Sequence, residues 1–171
     1  MNEAKFVPET TFVPAHTQAQ LETVAALAHD IWYEYYVALI GRAQVDYMVA
    51  KFQSAAAMGR QIDEGYEYFL VRRDGHDVGY LGFQVQGEAL FLSKFYLQRS
   101  VRGTGTGRVA MEFIERLARQ RGLRLIWLTV NKGNPAVNAY ERLGFRIAAD
   151  LVMDIGGGFV MDDYRMEKAL T

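Results

Sequence analysis

The run Arg102-Gly-Thr-Gly-Thr-Gly-Arg108 constrains this chain more than any other stretch. Ahead of it, residues 89–98 are aliphatic and aromatic and have the length of a strand. Behind it, Ala110, Phe113, Ile114 and Leu117 recur at helical spacing. Alternating glycines between a strand and a helix let the backbone approach a ligand closely. Unpaired N–H groups at the helix start then point at negative charge. A phosphate or pyrophosphate is the natural guest of such a turn. Two common phosphate loops are excluded. The run does not follow the first strand as a dinucleotide fingerprint would, and no Gly-Lys-Ser/Thr closes it as in a P-loop.

The rest of the chain supplies one α/β domain over residues 1–171. Phe6-Val-Pro8 and Phe12-Val-Pro14 suggest an extended edge segment, where proline is tolerated. Thr17 with Gln20 makes a capping box. Leu21, Val24, Ala25, Ala28, Ile31, Trp32 and Tyr35 then share a helical face that ends at Gly41. A second helix, burying Val45, Met48, Val49, Phe52, Ala55 and Ala56, is expected to run to about Gly65. Strands follow at 66–71 and 78–85, joined at Asp74-Gly75, a strong hairpin signal. After the central helix come a buried strand at 124–130 and a short helix from Asn134-Pro135 to Gly144. A last hairpin of 145–153 and 159–169 turns at Gly156–Gly158. The expected sheet is mixed, of six or seven strands, with helices on both faces.

Composition narrows the chemistry. Half of the residues are apolar and 23% charged, which suits a globular core. A net charge of -1 argues against nucleic acid or an anionic membrane as partner. The chain has no cysteine, which excludes thiolate metal sites and a cysteine nucleophile. His16, His29 and His76 match no metal-ligand spacing, so no metal is expected. No apolar run reaches membrane-spanning length and no signal-peptide pattern opens the chain, so a cytoplasmic location is expected. Arg99, Arg108 and Arg124 gather positive charge near the glycine run, as a phosphate-bearing small molecule would require.

Arg102, Gly105 and Gly107 occupy the three specified positions of Gln/Arg-x-x-Gly-x-Gly/Ala, so the run resembles the acyl-CoA signature of the GNAT superfamily of N-acetyltransferases. A second block, Asn134-Pro-Ala-Val-Asn-Ala-Tyr-Glu-Arg-Leu-Gly-Phe145, resembles the family's later Asn-x-x-Ala…Tyr-Glu-x-x-Gly-Phe pattern at fitting distance. Residues 161–168 are similar to its final strand. The resemblance implies a GNAT fold with splayed strands around the cofactor, and an acetyl-CoA co-substrate. Main-chain N–H groups of Gly103, Thr104, Gly105, Thr106, Gly107 and Arg108, following Arg102, would hold its pyrophosphate. Thr104, Thr106 and Arg108 could add side-chain bonds. The pantetheine arm would pair with Phe95, Tyr96 and Leu97, one of whose N–H groups would polarise the thioester. Tyr140 aligns with the tyrosine that protonates the departing thiolate. Asn134 and Asn138 would bond the cofactor arm, with Arg142 and Asn131 as further candidates.

The general base stays open at this stage. Many family members place a glutamate where this chain has Ser93, which could hold a relaying water. Glu34, Glu88 and His29 are alternatives. In this fold the acceptor enters between the first helices and the last hairpin. Trp32, Tyr33, Glu34, Tyr35 and Tyr36 would therefore meet it, with 156–159 as a lid. Aromatics beside an acid suit a cationic amine. The expected activity is direct acetyl transfer to a small primary amine, a polyamine for instance. A non-catalytic acyl-CoA sensor and an enzyme acting on a protein N-terminus or lysine are the alternatives. Homodimers are common in the family.

Overall fold

A computed structural model describes residues 8–171. Phe6 and Val7 of the expected extended segment lie outside them. In chain order the elements are β1 (Thr10–Pro14), α1 (Gln18–Tyr35), α2 (Val37–Ile40), α3 (Arg42–Phe52), α4 (Ala55–Asp63), β2 (Tyr66–Arg73), β3 (His76–Gln86) and β4 (Ala89–Leu97). There follow α5 (Thr106–Gln120), β5 (Leu125–Asn131), α6 (Ala136–Arg142), β6 (Arg146–Gly156) and β7 (Phe159–Ala169).

The strands form one seven-stranded sheet in the order β1-β2-β3-β4-β5-β7-β6. Every adjacent pair is antiparallel except β4–β5. Helices cover both faces. Leu21, Val24, Ala28, Ile31 and Trp32 of α1, with Val45, Met48 and Met58 of α3 and α4, bury Tyr68, Leu70 and Tyr80 on one face. Ala110, Met111, Ile114 and Ala118 of α5 bury Leu81, Phe83, Leu90, Leu92, Ile126 and Met166 on the other. Burial of this kind stabilises by about 25 cal/mol per Å² of apolar surface, so the two cores hold the sheet rigidly between them.

The capping box forms as the sequence suggests. The Thr17 hydroxyl accepts from the Gln20 N–H at 3.2 Å, and Gln20 Oε1 accepts from the Thr17 N–H at 3.1 Å. The single helix expected from Gly41 to Gly65 is instead two. Ser54 caps α4 by accepting from the Ala57 N–H at 3.1 Å, which breaks the run after Phe52. The break frees the Phe52 carbonyl at the end of α3, and Lys94 Nζ donates to it at 2.6 Å.

Two irregularities in the sheet make the site. Strands β4 and β5 pair only over Ala89, Leu90 and Phe91, against Leu125, Ile126 and Trp127. Beyond Phe91 they diverge, so their facing backbone edges lose their partners. On its other side β4 carries a bulge: Leu92 opposes Phe83 and Lys94 opposes Gly82, leaving Ser93 as the extra residue. The bulge reverses the side-chain alternation. Leu90 and Leu92 join the α5 core before it, whereas Tyr96, two residues past Lys94, joins the α1 core after it.

Candidate active site

The gap between β4 and β5 opens into a cavity of about 1200 Å³. That exceeds the roughly 300–1,000 Å³ of an ordinary small-molecule pocket and leaves room for two ligands side by side. The glycine turn forms one mouth. The first backbone bond of α5 runs from the Val109 N–H to the Gly105 carbonyl (3.2 Å), so the N–H groups of Thr106, Gly107 and Arg108 have no intrahelical partner. Gly103 and Gly105 have φ of +74° and +90°, and a Cβ at either would meet nothing within 4 Å. The space over the turn is open, bordered by Gly103, Gly105, Gly107 and Arg108. A diphosphate fits such a cradle by size and by charge.

The threonines of the turn do something else. Thr104 accepts from Arg73 at 2.8 Å and donates to the Val101 carbonyl at 2.5 Å, and Thr106, buried, lies 3.0 Å from Thr104. Their side chains fasten the turn to β2 instead of facing the cavity; only their main chain is free for an anion. Arg102 likewise braces the turn. Its Nε donates to the Leu97 carbonyl at 3.0 Å, its guanidinium pairs with Glu34 and it lies 4.9 Å from the Tyr35 ring centroid.

Along β4 the cavity is lined by Ser93, Lys94, Phe95, Tyr96 and Leu97, and along β5 by Leu128, Thr129, Val130 and Asn131. Tyr140 and Arg142 reach it from α6. Tyr140 packs its ring at 6.2 Å from Phe95 and 5.7 Å from Phe145. Burial raises its phenol above the usual tyrosine value, so it stays a hydrogen-bond donor throughout the neutral range. Asn138 is exposed and faces away from the cavity. Asn134 is buried and spent on structure: its Oδ1 accepts from the Ala136 N–H (2.9 Å) and the Tyr35 hydroxyl (2.6 Å). It thereby fixes α6 to the end of α1. Asn131 Oδ1 similarly accepts from the Gly133 N–H at 2.9 Å.

On the α1 side the cavity is walled by Trp32, Tyr35 and Tyr36, with Trp32 stacked on Tyr36 at 4.3 Å and edge-on to Tyr96 at 5.4 Å. Tyr33 and Glu34 lie outside this wall. Tyr33 hydrogen-bonds Asp46 and sits under Arg42, while Glu34 is held by Arg102. Helical geometry explains the difference, since adjacent residues point about 100° apart and only Trp32, Tyr35 and Tyr36 fall on the sheet side. The turn at 156–158 is docked, not loose. Tyr47 and Lys51 of α3 donate to the Ile155 carbonyl at 2.6 and 2.7 Å. Among the described residues no group of three His, Asp or Glu is placed to hold a metal, and no helix is long and apolar enough to cross a membrane.

Two buried charges were not singled out by sequence reasoning. Lys94 is 3% exposed and donates to the Phe52 carbonyl, Gln61 Oε1 (2.9 Å) and the Tyr68 hydroxyl (2.6 Å), with no carboxylate beside it. Desolvation pushes its ammonium down to about 7. The unfolded chain then binds more protons than the folded one between pH 7 and the ordinary lysine value. Stability should therefore rise with pH across that window, by about 2 kcal/mol from pH 7 to 9. Urea melts of the wild type and Lys94→Met should differ by this slope. Parallel pH dependences would show that Lys94 keeps an ordinary affinity for its proton. The second charge, Asp163 of β7, also lines the cavity.

A glycine turn at the start of α5, a parallel pair that splays beside it and a tyrosine on the following helix meet around one cavity of a mixed α/β sheet. The model of the acetyltransferase (GNAT) family matches residues 25–145, and the chain belongs to that family. The streptothricin acetyltransferase of Streptomyces lavendulae is 33% identical over 81 residues, 46% of this chain. The match spans 43% of that relative, less than half its length. The PaiA N-acetyltransferase from Thermoplasma acidophilum, solved in complex with coenzyme A, has a TM-score of 0.77 at 17% identity, covering 96% of this chain and 99% of that one. A nourseothricin acetyltransferase has a TM-score of 0.56 at 25% identity, covering 64% and 68%.

Proposed function

We propose that the protein transfers the acetyl group of acetyl-CoA directly to the primary amine of a small cationic molecule. The observation that carries this reading is the splay of β4 from β5 with its mouth on the open glycine cradle. It offers a diphosphate its amides at one end and an amide-bearing arm two unpaired strand edges at the other. The arm would lie against Phe95–Leu97, with a main-chain N–H polarising the thioester carbonyl. The amine would enter along Trp32, Tyr35 and Tyr36, whose ring faces attract a cation. Likeness to a streptothricin acetyltransferase favours a small amine over a protein acceptor. Holding both substrates in one cavity supplies much of the rate.

Calorimetry with acetyl-CoA on the wild type and Gly105→Val tests the cradle. A Cβ at position 105 would meet nothing within 4 Å, so the substitution distorts the turn at its φ of +90° without a clash elsewhere at that atom. Affinity should fall at least about tenfold, equivalent to 1.4 kcal/mol. Unchanged affinity would move the cofactor elsewhere. Thiol release should be followed with streptothricin, spermidine, a free amino acid and an N-terminal peptide. Binding without release from any of them would make the protein an acyl-CoA sensor.

A further inference from the structure

Asp163 is fully buried, and neither carboxylate oxygen has a hydrogen-bond partner. Such a group is costly unless something outside the chain completes it. Of the other buried polar side chains in the wall, Asn134 is satisfied by Tyr35 and Ala136 and Lys94 by Phe52, Gln61 and Tyr68, while the Trp32 Nε1 is a second unpartnered atom, a neutral donor. On β7, Asp163 opposes Asn131 of β5 and Leu151 of β6. It is two residues from Met161, which packs with the α1 core, and has opposite parity to Met166, which packs with the α5 core. Its carboxylate therefore stands on the acceptor face of the sheet. Its charge is felt by the hydroxyls of Tyr36 and Tyr96, which approach from the end of α1 and from β4.

We infer that Asp163 is the group that receives the acceptor's ammonium and takes its proton. The inference rests on the acetyl-transfer reading and adds to it the missing base. In the first step R–NH3⁺ gives one proton to the Asp163 carboxylate. The neutral nitrogen adds to the thioester carbon, forming C–N, and the C–S bond breaks with its electron pair on sulfur. The thiolate takes a proton from Tyr140, which recovers one from the nitrogen as the amide forms. One N–H remains in the product, and the proton on Asp163 leaves to solvent.

The carboxyl is suited to this exchange. Desolvation, with Asp162 beside it on β7, pushes it up to about 6 against the opposing pull of Lys132 beyond β5. Thr129 of β5 also draws the carboxyl down without meeting hydrogen-bond geometry at either oxygen, and Tyr36, Tyr96 and Tyr140, all raised, are neutral over the same range. Asp163 is thus ionised and desolvated at pH 7, as a base for an ammonium must be.

The test compares the wild type with the near-isosteric Asp163→Asn, using streptothricin and spermidine as probes. Acetyl-CoA affinity, measured by calorimetry, should be unchanged, which also reports that the variant is folded. With each probe that the wild type acetylates, kcat/KM at pH 7.5 should fall at least about tenfold. The acid limb of its pH profile, near 6 in the wild type, should vanish. A rate within twofold with the limb retained would overturn the assignment. Should the wild type acetylate neither probe, the acetyl-transfer reading fails for these amines and the assignment is read from amine binding alone. Asp163→Asn should then weaken amine affinity at least about tenfold, and equal affinity would overturn it.

Discussion

Gly79→Ala should destabilise the protein by about 4 kcal/mol, more than any other single methyl added to this sheet. Gly79 lies on β3, between Val71 of β2 and Leu97 of β4. A Cβ there would run into the Tyr96 carbonyl oxygen and stand 2.7 Å from Leu97 Cδ2 and 3.1 Å from Leu97 Cα. Overpacking a core costs about 1–3 kcal/mol when side chains can move aside. Here the nearest atom is backbone, clamped in a ladder with helices on both faces, so the strands themselves must part. For a chain of this size 4 kcal/mol lowers Tm by roughly 8–16 °C. Gly82 is the built-in comparison. Its Cβ would meet the Tyr68 ring at 2.9 Å, a side chain and not backbone, and its alanine variant should cost less. Equal melting temperatures for Gly79→Ala and the wild type would rule out this packing. Because Leu97 ends the edge of β4 and its carbonyl anchors Arg102, the same variant should also weaken acetyl-CoA binding.

The parts of the molecule that were legible in the sequence are those where one residue type serves one local purpose. Glycines at 103, 105 and 107 between a strand and a helix marked the cradle, and the Asn134–Phe145 block marked α6 with Tyr140. Periodicity placed α1 and the β2–β3–β4 meander. What escaped depends on register. Ser93 takes the position of a family glutamate by counting, but that it is the extra residue of a bulge shows only from the pairing, because the glycine at the shift, Gly82, lies on the neighbouring strand. Nothing in the local sequence marks Lys94 as buried, because its partners, the Phe52 carbonyl left free by the break after α3, Gln61 and Tyr68, are far from it in the chain. Asp163 stood next to the exposed Asp162, and only pairing with β5 and β6 tells which of the two faces inward. Tyr33 and Glu34 are neighbours of Trp32 in sequence and not in space, because the helical face of Ile31, Trp32 and Tyr35 turns them away from the cavity. The two threonines at 104 and 106 resembled phosphate ligands until Arg73, far off in sequence, claimed them.

Tyr140→Phe should lower kcat by about 10²-fold while leaving KM for acetyl-CoA and the melting temperature nearly unchanged. The ring does the packing, against Phe95 and Phe145, and phenylalanine keeps it. Only the hydroxyl is lost. Its phenol holds its proton more firmly than a free tyrosine, and that matters for the direction of transfer. A firmly held proton does not leak to Asp163 or to water. The expelled thiolate is a weaker base than the phenolate, so Tyr140 donates a hydrogen bond to the forming charge and passes its proton on only as it regains one from the amide nitrogen. Stabilising that charge belongs to the transition state alone, so the loss falls on kcat rather than on binding. General acids of this kind contribute about 10²–10⁴ in rate. The alkaline limb distinguishes the role from a merely structural one. Since Tyr140 does not ionise below pH 10, the wild type should keep its rate up to that pH, and the variant should be slower by the same factor throughout. A kcat equal to that of the wild type would hand the proton to water and leave Tyr140 with packing alone.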